Sequence, residues 1–474
     1  MKKSRKSRWL AVLLAMGMSL CACTGKQTPP EQDSGTEQEN TTERTRTEEA
    51  DTGAGSTEAP EENGSAQSPK ESLPSEEGDV LYVYSWNDDF EEQLQYFKDK
   101  YPQYAGRVEY VNLEVGANSG DYSATLETLL QSHYEEAAQY PSIVVLDNSI
   151  ALDYVQSDYT LPMTGVGIGG EDYQNMYPYT LDYTTYEGDV KALTWYATPG
   201  VLCYRADLAE QVLGSGEPEV VQDAVSNWTR FLDTAEKMQE AGYKMVSGPD
   251  DVKFPYMDTK TVPWVTDEHL NIDKWVTQYL EMAKKLNDRD YTSGTRVETE
   301  EWNANMDKDV FCYFGTPQFY NWALQPELHE GDYRICEGPA TFHWGGTWLA
   351  VGKEGPDTGL AAWILRTICC DTDTMTMMGE KTCGFVNNRK AVQSLIDAGK
   401  GVVEGKGETN PLPVFDAVAQ KVDVSCASVY DTRMNGYVDN VLSEYLSGGD
   451  VDTKEAVERI KDQVSDAYNY IKID

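Results

Sequence analysis

From residue 79 onward, apolar positions fall into short blocks that alternate between strand and helix spacing. Val80-Leu81-Tyr82-Val83-Tyr84 is a run of β-branched and aromatic residues ending in the polar turn Ser85-Trp86-Asn87-Asp88, which predicts a strand. Leu94, Phe97 and Tyr101 then recur at helical spacing until Pro102 stops the pattern. A second strand is expected over 108–111, a helix over 122–134 with Leu126, Leu129 and Leu130 inward, and a buried strand over 142–146 ending at Asp147-Asn148. Strand and helix in alternation point to an α/β sheet.

The roughly 325 residues that follow are too many for one core, so a second lobe is expected. Residues 198–205 read as a strand crossing between lobes, 310–314 as a strand meeting the turn Gly315-Thr316-Pro317, and 348–351 as another just after Gly345-Gly346. Trp228, Phe231, Ala235 and Met238 mark one amphipathic helix, and Val276, Tyr279, Ala283 and Leu286 a second. Both stripes read as core. The last hundred or so residues read as mainly helical, with a final helix over 453–470.

The first 78 residues have a different character. Lys2, Lys3, Arg5, Lys6 and Arg8 precede an apolar stretch over 9–20, the order of an export signal and too short for a permanent span. It ends Leu20-Cys21-Ala22-Cys23, which resembles the bacterial lipobox. That resemblance implies cleavage before Cys23, acylation of that cysteine, and attachment to the outer face of the cell membrane. Residues 24–78 are Glu, Thr, Ser, Gly, Pro, Gln and Asn in the main, with Leu73 the one large aliphatic, and cannot bury enough to offset their ordering entropy. As a flexible coil this acidic tether of roughly 55 residues would span about 40 Å.

Net charge is −41, and the basic signal leaves on cleavage, so nucleic acid is an unfavourable partner. Seven cysteines follow Cys23: Cys203, Cys312, Cys336, Cys369, Cys370, Cys383 and Cys426. They match no metal-ligand spacing, and His133, His269, His329 and His343 are scattered, so no metal or cofactor is expected. Disulfides and buried thiols are both compatible with that odd set.

Two polar clusters stand at the carboxyl ends of expected strands, Trp86-Asn87-Asp88 and Asp147-Asn148, where ligands of open α/β sheets bind. An aromatic ring beside short hydrogen-bonding side chains suits a sugar, which shows apolar C–H faces and hydroxyls. Core packing for Trp86 and helix capping for Asp147 are the competing roles. Of the eleven tryptophans all but Trp9 lie in the body, a surplus that favours an aromatic-lined cleft.

In order along the chain, Leu81-Tyr82-Val83-Tyr84-Ser85-Trp86-Asn87-Asp88, Lys100-Tyr101-Pro102, residues 141–147, Gly188-Asp189-Val190-Lys191-Ala192-Leu193, residues 199–207 and Gly345-Gly346-Thr347-Trp348-Leu349-Ala350-Val351 resemble the extracellular solute-binding proteins of ABC importers. The likeness is to family one, with its maltose- and oligosaccharide-binding lipoproteins. It implies a two-lobe α/β fold of the periplasmic-binding-protein kind (type II), with a hinge and an interlobe cleft. Lobe one would take 79–200 plus 348–378, and lobe two 201–347 plus 379–474. It further implies that Trp86, Asn87, Asp88, Asp147 and Asn148 contact solute from lobe one, and Phe314, Gly315, Trp344 and Gly345 from lobe two, with Trp195 and Trp302 as lesser candidates.

The function implied is capture of an extracellular carbohydrate, an oligosaccharide in the first instance, by a monomer that delivers it to a membrane permease. Polyamine capture between aromatics and carboxylates is the alternative within the same fold, since Tyr82-Val83-Tyr84-Ser85-Trp86 also resembles the start of polyamine-binding proteins. A glycoside hydrolase needs two carboxylates about 5–10 Å apart across a cleft, which 80 acidic residues make an empty criterion. No nucleotide loop or nucleophile motif appears, so a binding protein is expected rather than an enzyme. A surface adhesin is the remaining class, and predicts no closing cleft.

Overall fold

The computed structural model describes residues 73–117, 120–134, 139–324, 331–382, 384–402, 409–447 and 451–473. The signal segment 1–22, the lipidation candidate Cys23, the tether up to residue 72, and His329 and Cys383 lie outside the described residues. Among the described residues, no helix is long and apolar enough to cross a membrane.

Two sheets organise the body. The first runs β2-β1-β3-β9-β4, with β1 Leu81–Ser85, β2 Val108–Asn112, β3 Pro141–Asp147, β4 Ala192–Leu193 and β9 Thr347–Val351. β1 is parallel to both β2 and β3, whereas β9 is antiparallel to β3 and to β4. That order gathers the carboxyl ends of β1 and β3 and the amino end of β9 at one edge, where Thr347 pairs with Asp147. Helices α1 Glu91–Lys100 and α2 Gly120–Gln131 supply the parallel crossovers, burying Leu94 and Phe97, and Leu126 and Leu130. α3 Asn148–Val155 follows β3, and α4 Pro178–Asp182 leads to the crossing segment.

The second sheet is antiparallel, in the order β6-β5-β7, built from β5 Pro199–Arg205, β6 Cys312–Gly315 and β7 Tyr333–Cys336. The short strand β8 Phe342–His343 pairs with the start of β5, Phe342 opposite Gly200 and His343 opposite Pro199. Helices α5 Trp228–Glu240, α6 Lys253–Met257, α7 Lys274–Asp288, α9 Asp431–Leu446 and α10 Thr453–Ala467 pack a second apolar core containing Phe231, Trp275, Tyr279, Val438 and Ile460.

Period-two alternation splits β5 between the cores: Leu202 and Tyr204 join the second, while Val201 and Cys203 join the first. Helix α8 Leu412–Ala419 covers that other face through Phe415, whose ring meets Phe385 at 5.6 Å and Tyr320 at 6.2 Å. The expected lobe boundary lies at 378/379. It falls inside the helix Thr372–Thr382, and Met375, Met378, Phe385, Val392 and Phe415 share the first core.

The tether also ends earlier than residue 78. Tyr104 donates its hydroxyl to the Pro74 carbonyl at 2.6 Å, and buried Arg107 donates to the carbonyls of Ser75 and Asp79 at 2.7 and 3.0 Å and to Asp357 at 2.9 Å. A guanidinium with that many acceptors fixes residues 74–79 against the first sheet's body. Cys312, Cys336 and Cys369 are thiols whose pKa burial raises, so they act as small core hydrophobes.

Candidate functional site

The site is built at the shared edge of β3 and β9. Asp147 closes β3, and its Oδ1 accepts from the Ser149 amide at 2.9 Å and the Ser149 hydroxyl at 2.5 Å, capping α3. Its side chain remains half-buried, and burial pushes its carboxyl above the usual range although the Ser149 and Asn148 donors oppose the shift. Capping and solute contact are thus compatible roles for one carboxylate with two oxygens. The neighbouring Asn148 amide donates to the Gly346 carbonyl at 3.0 Å, and the Thr198 hydroxyl to the Gly345 carbonyl at 3.0 Å. These bonds place Asn148, next to Asp147, against the Gly345-Gly346 turn that follows Trp344.

Gly345 and Gly346 make that approach, with φ of 72° and 141°, backbone that side-chain-bearing residues rarely adopt. Trp344 lies face to face with Phe254 of α6, centroids 4.4 Å apart and planes at 20°, and both rings are half-buried. From the first sheet's side, Tyr183 stacks on Trp348 at 5.1 Å and 15° and donates its hydroxyl to the Asn148 carbonyl at 3.0 Å. The Tyr196 and Thr347 hydroxyls share a hydrogen bond of 2.7 Å. Among the described residues, Asn148 Oδ1 and Trp348 Nε1 are buried atoms without a hydrogen-bond partner, an acceptor and a donor left open in one locality.

Glu298 completes the set. It is half-buried, holds φ at 66°, makes no hydrogen bond or ion pair among the described residues, and interacts repulsively with Asp147 across the two bodies. Burial is the largest cause pushing its carboxyl up to about 7; Lys253 opposes the shift while Asp147 and Asp250 add to it. The neighbouring cations are already engaged: Lys253 with Asp439 at 2.5 Å, Lys260 with Asp431 at 2.7 Å, and Arg296 with Asp250 at 3.0 Å. A hydroxyl of Thr432, on α9, donates to the Ser149 carbonyl at 2.9 Å and links the bodies beside the site.

Against this geometry stand the comparisons. The family model for bacterial extracellular solute-binding proteins matches residues 88–402. The chain belongs to the bacterial extracellular solute-binding proteins. A solved extracellular solute-binding protein of family 1 has a TM-score of 0.69 at 12% identity, covering 82% of this chain and all of its own. The sugar-binding protein MalE of Xanthomonas citri gives 0.63 at 14%, covering 82% and 96%. The ABC-transporter-associated binding protein of B. animalis subsp. lactis Bl-04, solved with β-1,6-galactobiose, gives 0.61 at 16%, covering 83% and 99%. At such identities the likeness establishes the fold. No curated protein matches the chain.

Within this solute-binding fold, several residues expected to touch solute are packing residues. Phe314 and Trp302 are 2% exposed: Phe314 packs on Phe231 and Phe342 at 5.8 and 5.9 Å, and Trp302 donates its Nε1 to Asp251 at 2.8 Å. Gly315 is buried, and a Cβ there would sit 2.1 Å from the Phe319 ring. Trp86 and Trp195 are each 7% exposed, the first edge-on to Tyr122 at 5.7 Å, the second against Phe90 at 5.0 Å. Those rings fill the cores. Asn87 is half-buried and Asp88 exposed beyond β1, next to Asp89, whose carboxyl burial raises and to which Asn87 donates at 2.5 Å.

Glu298, Tyr183, Tyr196 and Phe254 were not singled out from sequence. The chain's 30 tyrosines give no local mark that would separate the second and third from the rest. Glu298 sits in a short loop with no periodicity to mark it.

Proposed function

We propose that the protein captures a carbohydrate, an oligosaccharide in the first instance, between its two α/β bodies and delivers it to the permease of an ABC importer. What supports this reading is a set of groups suited to a sugar: the open atoms Asn148 Oδ1 and Trp348 Nε1, the carboxylates Asp147 and Glu298, and the half-buried Trp344–Phe254 stack. Acceptors, a donor and a ring face are the chemistry that hydroxyls and C–H faces need. Asn87 and Asp88 extend the polar rim, and Gly345 admits solute close to the backbone. Neighbours of the same fold solved with β-1,6-galactobiose, maltose and maltotriose support the ligand class.

Acylated Cys23 and the acidic tether would hold this monomer at the outer face of the membrane. Mass spectrometry of the membrane fraction should find the mature N-terminus at Cys23 carrying acyl chains, and C23A should release the protein to the medium. A polyamine is the second reading, favoured by the engagement of the neighbouring cations Lys253, Lys260 and Arg296 with carboxylates other than Asp147 and Glu298.

The deciding experiment is a thermal-shift series with maltotriose, β-1,6-galactobiose and spermidine. A bound solute at about 100 Kd stabilises by about 2.7 kcal/mol, readily seen as a higher Tm. W344A should abolish the shift and change the unliganded melt little. Spermidine alone raising Tm would replace the carbohydrate reading, and silence from all three would remove both.

A further inference from the structure

His343 occupies a position that neither the fold comparison nor solute capture explains. It lies in β8, which pairs with β5 where the chain crosses from the first sheet to the second. One oxygen of Asp258, Oδ2, accepts from the His343 amide at 2.6 Å and meets its Nδ1 at 2.7 Å. Asp258 is the C-terminal cap of α6, the helix whose Phe254 stacks on Trp344. On the opposite side are two rings of the first core, Tyr179 at 5.9 Å and Tyr183 at 6.2 Å. Both partners of the ion pair are largely enclosed, with side chains 14% and 13% exposed.

We propose that His343 is a protonation-dependent latch between the two bodies, tying Asp258 of one to Tyr179 and Tyr183 of the other when it carries a proton. The proposal rests on the reading of a receptor whose bodies close on solute, and supplies its regulation. As an imidazolium, the ring gains a charge-assisted bond to Asp258 and lies 5.9 Å from the tilted Tyr179 ring, with Tyr183 in edge contact at 6.2 Å. As a neutral imidazole it keeps at most the single Nδ1–H bond, so the joint weakens.

The charged and titratable groups around it are Asp258, the Lys260–Asp431 pair beyond, and the two tyrosines. Burial lowers the His343 pKa and Lys260 adds to that; Asp258, by charge and hydrogen bond, and Asp431 outweigh both, leaving it above its ordinary value. Because the folded value is the higher one, the latch is fully formed below the unfolded value of about 6.5 and is lost as pH rises through the folded one.

The test uses the full-length protein without solute. Its four histidines make the ring Cε1–H titration readable by NMR, with H343Q assigning the resonance. Interbody distance is followed by energy transfer between dyes on encoded azide residues replacing exposed Glu127 of α2 and Lys237 of α5, from about pH 5.5 to 8.5. The expected result is a His343 midpoint above about 6.5 and a change in transfer with the same midpoint. H343Q should have a flat profile, and D258N, which retains the amide contact, should lower the midpoint. A midpoint at or below about 6.5, or transfer that stays constant while His343 titrates, overturns the latch. Thermal shifts with maltotriose, measured separately, show whether solute capture stands without it.

Discussion

Glu298→Gln should make the protein more stable at alkaline pH and leave it unchanged in acid. The carboxyl moves from 4.5 to about 7 on folding, chiefly through burial, with Asp147 and Asp250 adding repulsion. At 1.36 kcal/mol per unit, that is about 3 kcal/mol of destabilisation above pH 7, and about 2 after discounting for the residue's partial exposure. The sign follows from proton counting. Between about pH 4.5 and 7 the native state holds a proton that the unfolded chain has lost, so stability falls across that window and is flat beyond it. Gln keeps the shape and an acceptor oxygen, so the variant removes the slope without opening a cavity. Guanidinium denaturation of both proteins at about pH 4 and pH 8 gives the double difference. Asp251, pushed up to about 8 mainly by burial, titrates in both proteins and largely cancels. An equal gain at the two pH values, or a loss at pH 8, would refute the reasoning. A gain that comes with weakened solute binding would identify a carboxylate held against stability for function.

Trp86→Ala should cost about 3–5 kcal/mol in denaturant unfolding, because a ring 7% exposed and packed on Tyr122 leaves a cavity; a loss under about 1 kcal/mol would return Trp86 to the solute-contact set. Gly200→Ala should lower Tm sharply, since its Cβ would meet Phe342 Cε2 at 2.1 Å in the crossing pair, and a neutral result would mean that β8 is free to move. Asp273→Ala should cost about 3 kcal/mol at neutral pH, because the carboxylate accepts from Thr261 N and Oγ1, Val262 N and the Trp275 amide that starts α7. Burial raises the Asp273 carboxyl, but those donors outweigh it and leave it lowered, so the gap to wild type should close as pH falls through the folded value, read by denaturation at several pH values.

Much of the fold was legible because its elements announce themselves locally. The β-branched and aromatic run before Ser85 became β1 Leu81–Ser85, and the expected strand over 142–146 became Pro141–Asp147. The stripes of Phe231 with Met238, and of Tyr279 with Leu286, are buried in the second core. Of the candidate site, the part the sequence marks is the part at strand ends: Asp147 and Asn148 after β3, and Trp344 and Gly345 before β9. Core and cleft tryptophans cannot be told apart by local pattern, because Trp302 and Trp344 each stand in a polar stretch and only long-range packing buries one of them. Glu298 and His343 acquire their surroundings from Asp147 and Asp258, residues 151 and 85 positions away, and no window of sequence contains both partners.

The electrostatic plan of the site narrows what it can accept. Lys253, Lys260 and Arg296 could each have offered a charge to an anionic solute, yet each is bound to a carboxylate of its own body within 3.0 Å. Pulling one away would leave a carboxylate such as Asp439, 11% exposed, without its cation. Asp147 and Glu298 are the groups left over, and both have pKa values that burial raises, which means that nothing nearby solvates their charge fully. A phosphorylated or carboxylated sugar would add repulsion to that deficit, whereas hydroxyl donors would relieve it at no cost in charge. The acid excess of the whole chain is therefore carried into the site in a selective form. In the proposed site, open acceptors would favour neutral, donor-rich solutes first and cations second, and the paired cations would withhold the means to bind anions.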